Sequence, residues 1–176
     1  MFRLESARLL IRPISIIDAV FMLQLMNTSG WLEFIGDRNV KDRTAASNYI
    51  LTRIIPSYHA YGFGLYLVLL KDKNIPIGIC GLVKRDGLEF PDLGFAILPD
   101  YERQGYTSEA CRSILSYAEA NLSVPTIYGI TTKANIAAIK VLEKQGLRFQ
   151  QTVQLPQNNK EFLLFAKALH KEDAEP

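Results

Sequence analysis

The sequence predicts a mixed α/β fold, a central and mostly antiparallel sheet with helices on both faces. Three observations carry this expectation. Strand-like runs from Leu65 to Leu98 follow one another with only turns between them, which is the pattern of an antiparallel meander. Two helical periods come before that block, and helices alternate with strands after it, as crossover connections do. With 176 residues, of which 48% are hydrophobic and 22% charged, the chain suits one compact domain with a substantial core. That domain is expected over residues 1–170, with a charged, frayed tail over 171–176.

In chain order, Leu9, Leu10 and Ile11 between Arg8 and Arg12-Pro13 read as the first strand. Ser15 with Asp18 starts a helix whose apolar positions Ala19, Met22, Leu23 and Met26 recur at helical spacing. Trp31 to Arg43 has no clean period and reads as a loop with some short structure. Asp42 or Thr44 caps a second helix carrying Tyr49, Ile50, Arg53, Ile54 and Tyr58, which Pro56 should kink or end. Gly62-Phe63-Gly64 turns into the strand Leu65 to Leu70. Ile75 to Val83 is the next strand, and Asp86-Gly87 a hairpin turn to a third that ends at Leu98. The helix from Thr107 to about Asn121 places Cys111, Ile114, Leu115, Ala118 and Leu122 on one face. Thr126 to Thr132 is a strand, Asn135 caps a helix that Gly146 ends, and strands Leu147 to Val153 and Phe162 to Leu169 flank the loop Leu155 to Lys160.

Composition narrows the function classes. A net charge of +2 without a dense Lys/Arg run gives no footprint for direct nucleic-acid binding. No apolar run approaches the about 18 residues that span a bilayer, and the N-terminus, MFRLESARLLIRP, interleaves charges with its apolar positions, unlike a secretory signal. A cytoplasmic location is expected, without a membrane partner. Cys80 and Cys111 have no Cys-x-x-Cys or Cys/His spacing and read as small core residues, so no metal site is expected. The two histidines, His59 and His170, make no triad or cluster. No Gly-x-Ser-x-Gly elbow, P-loop or triple-glycine dinucleotide motif is present.

The stretch Phe95 to Ala110, FAILPDYERQGYTSEA, carries the chemistry. It reads as a strand, a polar turn with Gly105, and a helix opening at Thr107 or Ser108. A helix start offers unpaired N–H groups and a partial positive charge, so such a turn can seat a phosphate or pyrophosphate. Gly105 lets the backbone come close, Arg103 adds a cation, and Glu102 must point away from any bound anion. With one glycine the same pattern also fits an ordinary strand-to-helix connection. The stretch resembles the coenzyme A loop of the GNAT acetyltransferase superfamily, most closely in the ribosomal-protein alanine N-acetyltransferase branch. Glu102, Gly105 and Thr107 occupy the signature positions, of which only the glycine is unchanged. Leu98-Pro99-Asp100-Tyr101 and Gly105 to Ala110 follow the branch. A second stretch, Asn135 to Leu147, resembles the family's closing helix through Asn135, Val141-Leu142-Glu143-Lys144 and Gly146, with Ala138 and Leu147 where Ser and Phe are usual. The element order matches this GNAT fold across nearly the whole chain.

The resemblance implies that acetyl-CoA is the cosubstrate. Its thioester arm would lie along Phe95, Ala96 and Ile97, with its pyrophosphate on N–H groups from Arg103, Gln104, Gly105, Tyr106, Thr107 and Ser108, and its pantetheine held by Asn135. The acceptor would be a primary amine, on a small molecule or a protein N-terminus, and the protein a monomer or homodimer. Asp92, at the branch's acidic position, and Glu33, in the irregular loop, are the candidate bases. Asp92 also reads as a plain surface charge, and Tyr106 as a packing residue. Leu142 stands where many members carry the Tyr that protonates the leaving thiolate. The rival reading is a GNAT-like module that binds an acyl-CoA as a sensor or interaction domain without turnover.

Overall fold

A computed structural model describes residues 2–156 and 158–169; the expected frayed tail lies outside the described residues. Eight strands form one sheet: β1 (Leu4–Glu5), β2 (Leu9–Pro13), β3 (Leu65–Leu70), β4 (Ile75–Val83), β5 (Asp92–Ile97), β6 (Thr126–Thr131), β7 (Arg148–Leu155) and β8 (Asn158–Ala168), in the order β1-β2-β3-β4-β5-β6-β8-β7. All neighbours are antiparallel except β5 and β6, which are parallel. The expected mixed sheet is therefore present.

Five helices, α1 (Ala19–Met26), α2 (Arg43–Tyr49), α3 (Ile55–Tyr61), α4 (Tyr106–Asn121) and α5 (Ile136–Lys144), cover both faces. Strand alternation divides the core in two. Tyr66 and Val68 of β3 join Cys111, Ile114 and Leu115 of α4 and Leu142 of α5, whereas Leu67 and Leu69 join Met22 and Leu25 of α1 and Ile50. A register shift opposite Val68 and Leu69 puts Ile77 on the same face as Cys80, as a bulge does by inserting one residue. The two cysteines meet in this core with Sγ atoms 3.7 Å apart, both buried.

Several local expectations change. Pro56 does not end the second helix. A π-helical turn over Ile50–Ile54 joins α2 to α3, so the carbonyl that a proline cannot serve falls at a widened turn, and the helix runs on to Gly62. Asp86-Gly87 is not a two-residue hairpin, because β4 stops at Val83 and β5 starts at Asp92, leaving a longer loop to hold Lys84 and Arg85. The last two strands approach each other over Leu155 and Asn158, closer than the loop expected up to Lys160. The short β1, too brief to show a period, was not foreseen. In the first helix, Phe21 and Leu25 are buried beside Met22, where Leu23 was expected. The entry to α1 is fixed by Asp18, whose carboxylate takes a two-pronged contact from Arg12 at 2.8 and 2.9 Å and the Ser15 amide at 2.9 Å.

The sheet's centre depends on Gly81. A Cβ on Gly81 would overlap the Gly64 carbonyl and stand 2.9 Å from Leu65 Cα, so Gly81→Ala must part β3 from β4. It is expected to cost more than about 2 kcal/mol in urea unfolding. Gly30, in helical backbone with open space at its Cβ, is the control. Gly30→Ala should be neutral or stabilising by up to about 1 kcal/mol.

Candidate active site

The sheet opens where its only parallel pair lies. β5 pairs with β4 along its whole length, Val83 to Asp92 through Gly78 to Ile97. With β6 it pairs only at Asp92 and Tyr128, beside a bond from the Tyr128 amide to the Pro91 carbonyl at 2.9 Å. Beyond that point the two strands part. Their separation leaves the β6-facing edge of β5 without a strand partner from Leu93 onward, and Phe95, Ala96 and Ile97 are half-buried along it. Because β5 and β6 are parallel, the loop after β5 and the start of α5 after β6 lie at the same, open end of the gap.

The loop after β5 has an unusual backbone. A single 3-10 turn, Pro99–Tyr101, is followed by left-handed residues at Arg103 (φ 57°) and Gly105 (φ 80°). For Gly105 this costs little, while for Arg103 it stores of order 1 kcal/mol. Among the described residues, no hydrogen bond is donated by the amides of Arg103, Gln104, Gly105, Tyr106, Thr107 or Ser108. The first amide that does bond is that of Glu109, to the Gly105 carbonyl at 3.0 Å. Six consecutive free N–H groups at a helix start, on left-handed backbone, make an anion-binding concavity. The strand and the loop meet in one narrow crevice, where Ala96 and Ile97 face Tyr106, Thr107 and Ala110 across Gly78.

Asn135, on the opposite arm, caps α5 by accepting the Ala138 amide at 3.1 Å on Oδ1, and its Nδ2 donors have no partner among the described residues. Asp92 stands at the apex of the gap. It is not a surface charge: it is 1% exposed and receives Arg85 Nε on Oδ1 at 2.7 Å. Burial pushes its carboxyl above the usual range, and Arg85 opposes the shift without cancelling it. Glu33 is exposed on a π-helical turn, Trp31–Ile35, with no hydrogen bond or ion pair to any described residue. Glu102 is exposed and does not engage the loop amides.

A splayed parallel pair ending in an anion-binding turn matches a known architecture. The model of the acetyltransferase (GNAT) domain family fits residues 8–148. The chain belongs to the GNAT acetyltransferase family. It is 31% identical over 81 residues to the uncharacterized N-acetyltransferase YnaD of Bacillus subtilis, a match covering 46% of this chain and 48% of that protein, so the chain spans about half the length of the curated relative. Its fold is similar to that of RimL, a ribosomal alpha-N-protein acetyltransferase solved in complex with coenzyme A (TM-score 0.83, 13% identity, 97% and 100% of the two chains). It is similar too to a ribosomal-protein alanine acetyltransferase from Vibrio fischeri (TM-score 0.80, 16% identity, all of both chains).

Sequence reading of this GNAT acetyltransferase missed Arg85 and the trio Ser6, Arg8 and Glu109. The carboxylate of Glu109 accepts Ser6 Oγ at 2.7 Å, the Arg8 amide at 2.9 Å and Arg8 Nε at 2.7 Å. About a hundred residues separate its two sides, and no local pattern announces such a pair. Arg85, seven residues before Asp92, sits on a loop that read as a simple turn.

The raised Asp92 carboxyl has a consequence for stability. The contribution of a group whose folded value is raised is fully present below its unfolded value, near 4, and is lost as the pH rises through the folded one. Asp92→Asn does not titrate, so its unfolding free energy should gain on wild type as the pH is raised from about 4 to 8. A difference constant over that range, measured by urea unfolding, would mean that Arg85 compensates the buried charge in full.

Proposed function

We propose that this chain uses acetyl-CoA to acetylate a primary amine, by direct attack of the amine on the thioester in a ternary complex. The observation that carries the reading is the coincidence of an unpaired strand edge with a run of free amides at its open end. An extended amide-bearing arm suits the first and a diphosphate suits the second. From Asp92 to Ile97 the edge extends roughly 17 Å, so a ligand anchored at the loop would reach toward the buried carboxylate at the apex.

In this reading the backbone of Phe95 to Ile97 pairs with the pantetheine arm, the amides from Arg103 to Ser108 hold the pyrophosphate, and Asn135 offers Nδ2 to the arm from the other side. An N–H of β5 polarises the thioester carbonyl and stabilises charge as it develops on oxygen. The amine attacks only when neutral. An α-amine titrates near 8 and a lysine side chain near 10.4, so a protein N-terminus needs the least help at neutral pH. Asp92 is the base for that proton: a carboxyl raised by burial is a better base than one in water. Glu33, exposed and without the burial that raises Asp92, is the second choice for that base. The leaving thiol, with a free value near 8.5, departs without a dedicated acid, which suits Leu142 at the position of the usual Tyr. The fold likeness to two ribosomal-protein acetyltransferases supports an N-terminal α-amine over other primary amines. A small-molecule amine is the second choice.

The test is acetyl-CoA added to the purified protein with a panel of N-terminal peptides and small amines. A rise in melting temperature and release of free thiol with at least one amine are expected; stabilisation without turnover on any amine favours the sensor reading instead. Gly105→Val, which cannot hold φ 80° without strain, should lose the stabilisation. Asp92→Asn should slow turnover most at low pH, where the amine is most protonated, and an unchanged pH profile removes it as the base.

A further inference from the structure

Arg8, the residue before β2, makes four contacts with the loop and the first turn of α4. Its Nη1 donates to the Gln104 carbonyl at 3.0 Å, its Nε to Glu109 Oε2 at 2.7 Å and its amide to Glu109 Oε1 at 2.9 Å, and its guanidinium lies 4.3 Å over the Tyr106 ring. Its Nη2 would stand 3.4 Å from a Cβ placed on Gly105. The bond to the Gln104 carbonyl has a geometric consequence. A trans peptide holds its C=O and the following N–H in opposite directions, so a carbonyl pinned toward Arg8 sends the Gly105 N–H the other way. Glycine tolerates both orientations of the preceding peptide plane, so nothing within the loop itself prevents a flip that would present a carbonyl to an incoming anion.

We propose that Arg8 is a positioning residue for the cosubstrate, one that locks the Gln104–Gly105 peptide with its N–H toward the phosphate seat. It has a second effect on the same loop. Glu109 lies one turn into α4, and an unscreened carboxylate there would repel a phosphate. Burial works against its ionisation, but the Ser6 and Arg8 hydrogen bonds outweigh that and hold its carboxyl below the usual range. Arg8 thus occupies the carboxylate with a neutralising partner instead of leaving it to face the ligand. Lysine cannot take this place, since one ammonium does not fork between a carboxylate and a carbonyl while stacking on a ring.

The inference rests on the reading of the loop as the coenzyme seat. The experiment is steady-state kinetics of wild type, Arg8→Lys and Arg8→Ala with acetyl-CoA varied, alongside amide NMR of Gly105 with coenzyme A added. Both variants should raise the KM for acetyl-CoA at least about tenfold, with kcat changed by less than about threefold, the loss expected for one misdirected charge-assisted bond. The Gly105 amide resonance should move with coenzyme A in wild type and not in Arg8→Lys. A folded Arg8→Lys with wild-type KM and a wild-type Gly105 shift overturns the proposal, even if its melting temperature has dropped. Should Arg8→Ala fail to fold, Arg8→Lys and Glu109→Gln decide the matter by the same KM readout. Wild-type protein that neither binds nor turns over acetyl-CoA would instead sink the proposed function, a result separate from variants that work as well as wild type.

Discussion

A sheet that comes apart in its middle is the constraint on which everything else turns. Backbone N–H and C=O groups are obligatory hydrogen-bonding groups, and folded chains pair nearly all of those they bury. Here β5 is fully paired on one side, touches β6 at a single residue pair on the other, and runs into six consecutive amides with no protein acceptor. The half-exposed position of Phe95 to Ile97 lets water satisfy these groups when no ligand is present. A ligand that carries its own amides and a diphosphate replaces that water with better-aligned partners. The gap is held open by the core and not by the site. α4 and α5 pack on the same face, over β4 and β6 respectively, and Leu142 closes against Gly129 where any Cβ would collide.

Charge around the gap is arranged by the same economy of partners. Asp92 and Glu109 are both carboxylates near the site, yet their environments push them in opposite directions. Asp92 is enclosed at the apex with one guanidinium contact, and burial wins, so its carboxyl rises toward the range where a base is useful. Glu109 accepts three hydrogen bonds, and they win over burial, so it stays ionised and inert beneath the loop. Two carboxylates of like chemistry thus sit in opposite environments, one raised by burial and the other held ionised by its partners.

Much of this was legible in the sequence, and the parts that were not have a common physical reason. Strands β3 and β4 and the helix α5 have the expected limits to within a residue, because apolar period and glycine punctuation are local signals. The turn before α4 was legible through Gly105, whose left-handed backbone admits few other residues. Of the two outcomes expected at Pro56, a kink or an end, the end does not occur, because a π turn over Ile50–Ile54 carries the helix on. Of the two readings of Asp92, a base and a plain surface charge, its burial removes the second, since period alone does not say that β6 and the loop carrying Arg85 close over it.

The contacts of Arg8 illustrate why such a residue escapes sequence reading and still governs the site. Its partners are Gln104, Tyr106 and Glu109, and each has an adequate local role without it: a turn residue, a first helical position and an acidic group in the first turn of a helix, where the dipole favours it. Only when β2 is laid beside β3, with the Lys71 amide bonded to the Arg8 carbonyl at 2.9 Å, does the arginine arrive beneath the loop. The edge of the sheet farthest along the chain from the loop therefore sets its peptide orientation. A chain whose first strand frays would keep Gly105, its helix and its free amides, yet lose the restraint that turns those amides toward an anion. In the proposed reading, formation of the phosphate seat is coupled to docking of the N-terminal strands, a long-range contact that a loop motif read alone does not contain.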